Sequence, residues 1–229
     1  MEKKIIIIGD LHGKNIWEEI LEKENDFDKA IFIGDYFDSF NIPFIEQYSN
    51  FKKIIEFKEL NKKKVILLIA NHDYHYIKLN PQPRYSGFQN NHFLQINELI
   101  EKNIKNKNLQ MCYSIGEYIF THAGITKTWL KNVGFKSKNY KDVSNFINEL
   151  FYNKPIQFRF NGHDMYGDDI TQSPIWVRPR SLLSDKIDGF KQVVGHTRVS
   201  KIEEINGVCF IDVLDENLPL SDKYLILYI

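Results

Sequence analysis

The sequence lacks most of the features by which composition alone would settle a class. Its only cysteines, Cys112 and Cys209, form neither a close pair nor a ligand-like cluster. That excludes a disulfide scaffold and a cysteine-based metal motif, and it predicts two buried free thiols in a reducing compartment, with one disulfide as the alternative. Charge of one sign is not in excess, since 30 Lys and Arg face 30 Asp and Glu. There is then no basic field to recruit nucleic acid, and a phosphate-bearing substrate would be held by local groups. Long apolar runs are missing as well. Met1-Glu2-Lys3-Lys4 leads into only Ile5 to Ile8, too short for a signal-peptide core or a membrane span, so a cytoplasmic protein with no membrane partner is expected. Repeats, low-complexity tracts and a linker are also absent. With 43% hydrophobic residues in 229, the chain can bury one substantial core, and a single domain over 1–229 is expected.

What is present is a series of short apolar runs rich in β-branched and aromatic residues. Ile5–Ile8, Ala30–Ile33, Val65–Ile69, Tyr118–Phe120, Gln192–Val194, Val208–Val213 and Tyr224–Ile229 read as strands. Continuous apolar runs imply strands covered on both faces. Amphipathic stretches at Asn15–Glu24 and Phe44–Leu60 read as crossover helices, giving β-α-β-α-β order. Further helices are predicted over His92–Ile104 and Tyr140–Tyr152, and a hairpin of Leu109–Ser114 and Tyr118–Thr121 turns at Gly116. Two irregular stretches, Asn80–Asn91 and Lys154–Ser184, are candidate lids or binding loops.

Five motifs follow strands directly: Gly9-Asp10-Leu11-His12-Gly13, Gly34-Asp35-Tyr36-Phe37-Asp38, Asn71-His72-Asp73, Thr121-His122-Ala123-Gly124 and Gly195-His196-Thr197. Residues just past the carboxyl ends of strands lie on the rim where α/β folds bind ligands. Taken singly, a His or Asp there is usually a cap or a surface residue. Together they supply carboxylates, imidazoles and one amide, a donor set suited to manganese, iron or zinc. Asp10 and His12, two apart on an extended segment, point the same way and can grip one ion. Asp35 can bridge that ion to a second, for which Asn71, His122 and His196 provide the remaining donors. Bridged ions about 3.5–4 Å apart hold a hydroxide between them and clamp phosphate oxygens.

His72 adjoins a candidate ligand and is the candidate general acid. Beside two cations its proton needs a carboxylate partner, and Asp38 is the candidate, with the capping of a turn as its alternative role. Arg178, with Asn71, is the candidate substrate-binding residue, because phosphate oxygens attract a guanidinium. Arg84 and Arg198 read as solvated charges, and His75, His92 and His163 as surface or core histidines. Tyr74, Tyr76, Tyr85 and Phe88 need no account beyond packing, although they could line a substrate pocket.

These motifs resemble those of the calcineurin-like metallophosphoesterases, over Gly9 to Thr197. They are most similar to the phosphoprotein phosphatase branch, which includes bacterial and phage serine/threonine phosphatases and symmetrical diadenosine tetraphosphatases. The resemblance implies a four-layer α/β/β/α sandwich. It implies one metal at Asp10, His12 and Asp35, another at Asp35, Asn71, His122 and His196, and a general acid at His72 with Asp38 as partner. Two positions depart from the pattern. Ser39-Phe40 stands where the family has Arg-Gly, which removes one phosphate clamp, and Ala70 stands for a Gly. Trp176-Val177-Arg178 resembles the place of the family's other phosphate-binding Arg.

The expected function is a dinuclear, manganese-first phosphatase in which a metal-bridging hydroxide attacks a phosphomonoester of a phosphoprotein or nucleotide. The alternatives are a phosphodiesterase or dinucleoside polyphosphate hydrolase, with a base stacked on Tyr85 or Phe88, and a noncatalytic scaffold. No stable nucleic-acid partner is expected.

Overall fold

The structure, a computed structural model, describes residues 2–77, 86–137 and 140–229. Strand β1 (Lys4–Ile8), helix α1 (Ile16–Lys23), β2 (Lys29–Phe32), α2 (Phe44–Leu60) and β3 (Val65–Leu68) follow in the expected order. Next come the single turn α3 (Asn71–Tyr74), α4 (Phe93–Lys105), β4 (Leu109–Gln110) and the hairpin β5 (Tyr113–Ile115) and β6 (Tyr118–Phe120). The chain continues through α5 (Lys127–Asn132), α6 (Val143–Asn153), α7 (Pro179–Asp185), β7 (Lys191–Val194), β8 (Glu203–Ile205), β9 (Val208–Phe210) and β10 (Tyr224–Tyr228).

The strands form two five-stranded sheets, ordered β10-β1-β2-β3-β4 and β5-β6-β7-β9-β8. Strands β1 to β4 pair in parallel, as do β6, β7 and β9. Alternation along the strands builds the layers, because successive side chains leave a strand on opposite faces. Ile5, Ile7, Ile31, Ile33, Ile66 and Leu68 meet Phe120, Val193, Cys209 and Ile211 between the sheets. Their neighbours Ile6, Ile8, Ala30, Phe32, Val65 and Leu67 face the helices with Trp17, Ile20, Phe51, Ile54 and Ile96. On the outer side of the second sheet, Val194, Val208 and Phe210 pack with Leu182 of α7. The result is the four-layer α/β/β/α arrangement. Each fully buried isoleucine contributes about 1.5–3 kcal/mol of transfer free energy to it.

Local chemistry sets the helix ends. The Thr126 side chain accepts from the Trp129 N–H at 3.2 Å and starts α5, and Pro179 sits in the first turn of α7. Both cysteines are buried and free, and no described helix is long and apolar enough to cross a membrane.

Three sequence expectations are corrected. Leu109–Ser114 is not one hairpin strand: Leu109 and Gln110 pair with β3 in the first sheet, while Tyr113–Ile115 pair with β6 in the second. The chain crosses between sheets at Met111 and Cys112, whose N–H groups both donate to Asn148 Oδ1, at 2.9 and 3.0 Å. The strand expected over Val208–Val213 ends at Phe210, which leaves Asp212 on the rim. Finally, the stretch Lys154–Ser184 is partly regular, with a 3-10 turn at Pro155–Phe158 and most of α7.

Candidate active site

Parallel strands bring their carboxyl ends to one rim, and each motif leaves a different strand there. Asp10 and His12 follow β1, Asp35 follows β2, Asn71 follows β3, His122 follows β6 and His196 follows β7. The structure brings all six predicted residues together. Asp10, Asp35 and His122 each place a donor atom within 4.8 Å of the other two. Asp35 Oδ2 stands 3.5 Å from His12 Nε2 and 3.6 Å from His122 Nε2. Asn71 Oδ1 lies 2.7 Å from His122 Nε2 and 3.1 Å from His196 Nδ1.

The second nitrogen of each imidazole decides what the ring can do. His12 Nδ1 donates to the Phe37 carbonyl at 2.9 Å, His122 Nδ1 to the Ile33 carbonyl at 3.2 Å, and His196 Nε2 to the Trp176 carbonyl at 3.1 Å. Each ring is thereby held in the tautomer whose other nitrogen turns an unprotonated lone pair inward, toward Asp35 for His12 and His122 and toward the Asn71 amide oxygen for His196, the arrangement typical of metal-binding histidines. Burial pushes His122 down to about 4 and His196 well below its ordinary value, so both stay neutral and able to coordinate.

Asp10 Oδ2 accepts from the His196 N–H at 2.9 Å, whereas its buried Oδ1 has no hydrogen-bond partner among the described residues. An unpartnered buried carboxylate oxygen is costly unless a cation takes it up. Burial and the nearby Asp212 and Asp35 charges raise Asp10 well above the usual carboxylate range. Burial also raises Asp35, but the imidazoles of His122, His72 and His12 outweigh it and hold that carboxyl below its ordinary value. This donor set fits a pair of divalent ions sharing Asp35.

His72 and Asp38 also meet, with His72 Nδ1 2.8 Å from Asp38 Oδ2, and the His72 ring lies edge-on to His12 with centroids 5.2 Å apart. Arg178 donates from Nη1 to the His196 carbonyl at 3.0 Å and from Nε to the Tyr166 carbonyl at 3.0 Å. It stands close enough for the Asp10 and Asp35 charges to act on it. Of the six described non-glycine residues with positive φ, His12, Asp35, Asp38 and His196 are four. Strain of this kind gathers at functional sites.

A family model described as calcineurin-like phosphoesterase matches the sequence over residues 3–213. The chain belongs to the calcineurin-like phosphoesterase family. It is a metal-dependent phosphoester hydrolase, of a family that typically holds two divalent ions, so the noncatalytic scaffold falls away. No curated protein matches the sequence. Among solved structures, the cold-active protein-tyrosine phosphatase of a psychrophilic Shewanella superposes with a TM-score of 0.62 at 17% identity, over 93% of this chain and 71% of that one. A protein serine/threonine phosphatase from Saccharomyces cerevisiae does so with a TM-score of 0.53 at 13% identity, over 99% of this chain and 79% of that one. At these identities the likeness is one of fold.

Sequence reasoning missed three residues of this calcineurin-like site. Asp212 follows β9 on the same rim, and sequence reasoning missed it because the expected strand Val208–Val213 ran through it. Buried Asp73 accepts from the N–H groups of Ala70, Asp35 and Tyr36 at 2.9–3.0 Å, tying two motif loops together. His75, read as an ordinary surface or core histidine, has Nε2 2.6 Å from Asp38 Oδ2. Ala70 is accommodated where the family has Gly because its φ of −112° is open to any residue. Phe88 is stacked on Tyr76, centroids 4.8 Å apart and 14° between planes, so that face of its ring is already covered. Tyr74 and Tyr76 are core residues, His92 stacks on Phe44, and Arg84 and Tyr85 lie outside the described residues.

Proposed function

We propose that this protein is a phosphatase that hydrolyses phosphomonoesters at a centre of two divalent ions, manganese first, held by Asp10, His12, Asp35, Asn71, His122 and His196. The observation that carries the reading is the His72–Asp38 contact of 2.8 Å beside the donor cluster. Ligands alone could store a metal, but a buried His–carboxylate pair next to them serves to protonate a leaving group.

When bound, the two ions would supply a nucleophile drawn from water and charge against the phosphoryl oxygens. The protein's own residues do the rest. Asp38 holds the Nδ1–H of His72, so Nε2 carries the proton delivered to the departing oxygen as the phosphorus–oxygen ester bond breaks. Burial alone would lower His72, but the Asp35 charge and the Asp38 hydrogen bond push it up to about 9, and once cations engage Asp35 it is the Asp38 hydrogen bond that continues to favour the protonated ring. Arg178 is pinned at Nε and Nη1 and offers Nη2 to a phosphate oxygen, with Asn71 as the second substrate-binding residue.

A second reading, hydrolysis of a diester or a dinucleoside polyphosphate, is favoured by the cavity of about 270 Å³ beside the acid, lined by His12, Lys14, Ser39, Phe40, His72 and Arg198. Phe40 is 78% exposed there, at the place where the family carries a phosphate-binding Arg-Gly pair, so the cavity has room for a larger leaving group.

The rates of manganese-loaded protein on phosphotyrosine and phosphoserine peptides, an aryl monoester, the matching diester and diadenosine tetraphosphate separate the two, with His72→Asn as control. Preference for monoesters supports the phosphatase. Preference for the diester or the dinucleotide transfers the function to the second reading.

A further inference from the structure

Asp38 is gripped at both oxygens. Its Oδ2 takes His72 Nδ1 at 2.8 Å and also His75 Nε2 at 2.6 Å. Its Oδ1 accepts from the Tyr76 hydroxyl at 2.5 Å. The Asp38 and His75 side chains are fully buried, and Asp38 sits at a φ of 69°, a backbone conformation that persists only when the surroundings enforce it.

The grip comes from one short stretch of chain. Asn71 and His72 open the single turn α3, and His75 and Tyr76 follow it directly. The segment that presents the candidate acid therefore also presents the donors that immobilise the acid's partner. Its outer support is the segment Gly87–Gln89. Tyr76 Oη accepts from the Gln89 N–H at 2.8 Å. Phe88 lies flat on Tyr76 and edge-on to His75, each at 4.8 Å between centroids. Gly87 approaches Asp38 so closely that a Cβ there would stand 2.6 Å from the Asp38 carbonyl oxygen.

Asp38, His72 and His75 could be read as a third metal site, but the distances argue otherwise. Donors about 2.0–2.1 Å from a tetrahedral ion stand roughly 3.3 Å apart, whereas these nitrogens sit at hydrogen-bond distance from the oxygen. The cluster closes on itself. Burial lowers the His75 imidazole below its ordinary value, so this ring, with Nε2 in close contact with Asp38 Oδ2, adds no second cation beside His72.

We propose that His75 and Tyr76 are positioning residues for proton transfer: they lock the Asp38 carboxylate, and through it the His72 ring, while the Gly87–Gln89 segment braces them from outside. The proposal rests on His72 being the acid of the phosphatase reading.

The test is kcat on phenyl phosphate, whose leaving group needs a proton, against 4-nitrophenyl phosphate, whose leaving group does not. It uses the manganese-loaded wild type, His72→Asn, Tyr76→Phe and His75→Gln, each at matched metal content. A general structural defect slows both esters alike. Mispositioned acid slows Tyr76→Phe and His75→Gln about tenfold on phenyl phosphate and about twofold or less on the nitrophenyl ester, a fraction of what removing an acid costs. Equal slowing on both esters, or none, overturns the proposal. If His72→Asn itself shows no leaving-group bias, or the wild type cleaves neither ester, it is the acid reading that fails. The His72 Nδ1–H proton resonance of zinc-loaded protein then decides the positioning role: a downfield signal shifted or lost in both variants supports it, and an unchanged one overturns it.

Discussion

The main-chain N–H of His196 donates to Asp10 Oδ2 at 2.9 Å and joins residues 186 positions apart. One follows the first strand of the first sheet and the other the third strand of the second, so the contact exists only when the sheets are docked. It spends one oxygen of Asp10 on the fold and leaves the other, Oδ1, for an ion.

Gly195 makes that approach feasible, because a Cβ at this position would land on Asp10 Oδ1. Gly195→Ala is expected to displace the carboxylate and lower bound metal, at a stability cost of roughly 1–3 kcal/mol for the overpacking. Elemental analysis and a thermal melt of the same preparation check both parts.

In the proposed centre Asp35 would serve both ions, so Asp35→Asn should cost more in metal affinity and kcat than the roughly 10–100-fold lost with an outer partner. Metal titration followed by calorimetry, with rates taken on the reloaded protein, gives the answer. Full activity after stripping and reloading would refute the bridging role.

As the proposed acid, His72 would make the rate depend on pH in one direction. His72 is raised to about 9 and bound cations, repelling its proton, bring that value down toward neutrality. The kcat on phenyl phosphate should therefore fall on the alkaline side below pH 9, while the nitrophenyl ester shows a shallower limb. Parallel pH profiles of the two esters measure this.

Asp38 affects stability with the opposite sign. Burial raises its carboxyl, but hydrogen bonds from His72 and His75 outweigh it and hold it at about 2, below the ordinary 3.8. A depressed folded value contributes stability above pH 3.8 that is lost as pH falls through about 2. Acid melts should show a steeper loss for the wild type than for Asp38→Asn over that window.

Arg178 uses two of its donor groups to hold the rim in place, and lysine cannot reproduce the fork. Losing one charge-assisted hydrogen bond to phosphate costs roughly 1.5–3 kcal/mol, so Arg178→Lys should raise KM for a monoester about ten- to hundredfold. Steady-state kinetics at fixed metal content tests it.

Much of the candidate site was legible because each donor stands directly after an apolar strand, and parallel strands deliver such residues to one edge whatever lies between them. The same logic reached Asp38 and His72, since each sits beside a donor already placed. It did not reach His75. A histidine one turn beyond Asn71 looks like any other until the fold shows which carboxylate it faces. The split of Leu109–Ser114 was hidden for a related reason, because apolar alternation is the same whether the partner strand belongs to one sheet or the other.

Sequence alone thus determined which strands are covered and which donor types stand at their ends: continuous apolar runs demand cover on both faces, and carboxylates, imidazoles and an amide past the strands suit divalent ions. Tertiary structure decided which atoms of those residues are spent and which are left over. The carbonyls of Phe37, Ile33 and Trp176 choose the nitrogen that each candidate ligand histidine presents, and His75 and Tyr76 stand against the oxygens of Asp38. Those choices depend on hydrogen-bond geometry between residues far apart in the chain, which no local pattern encodes.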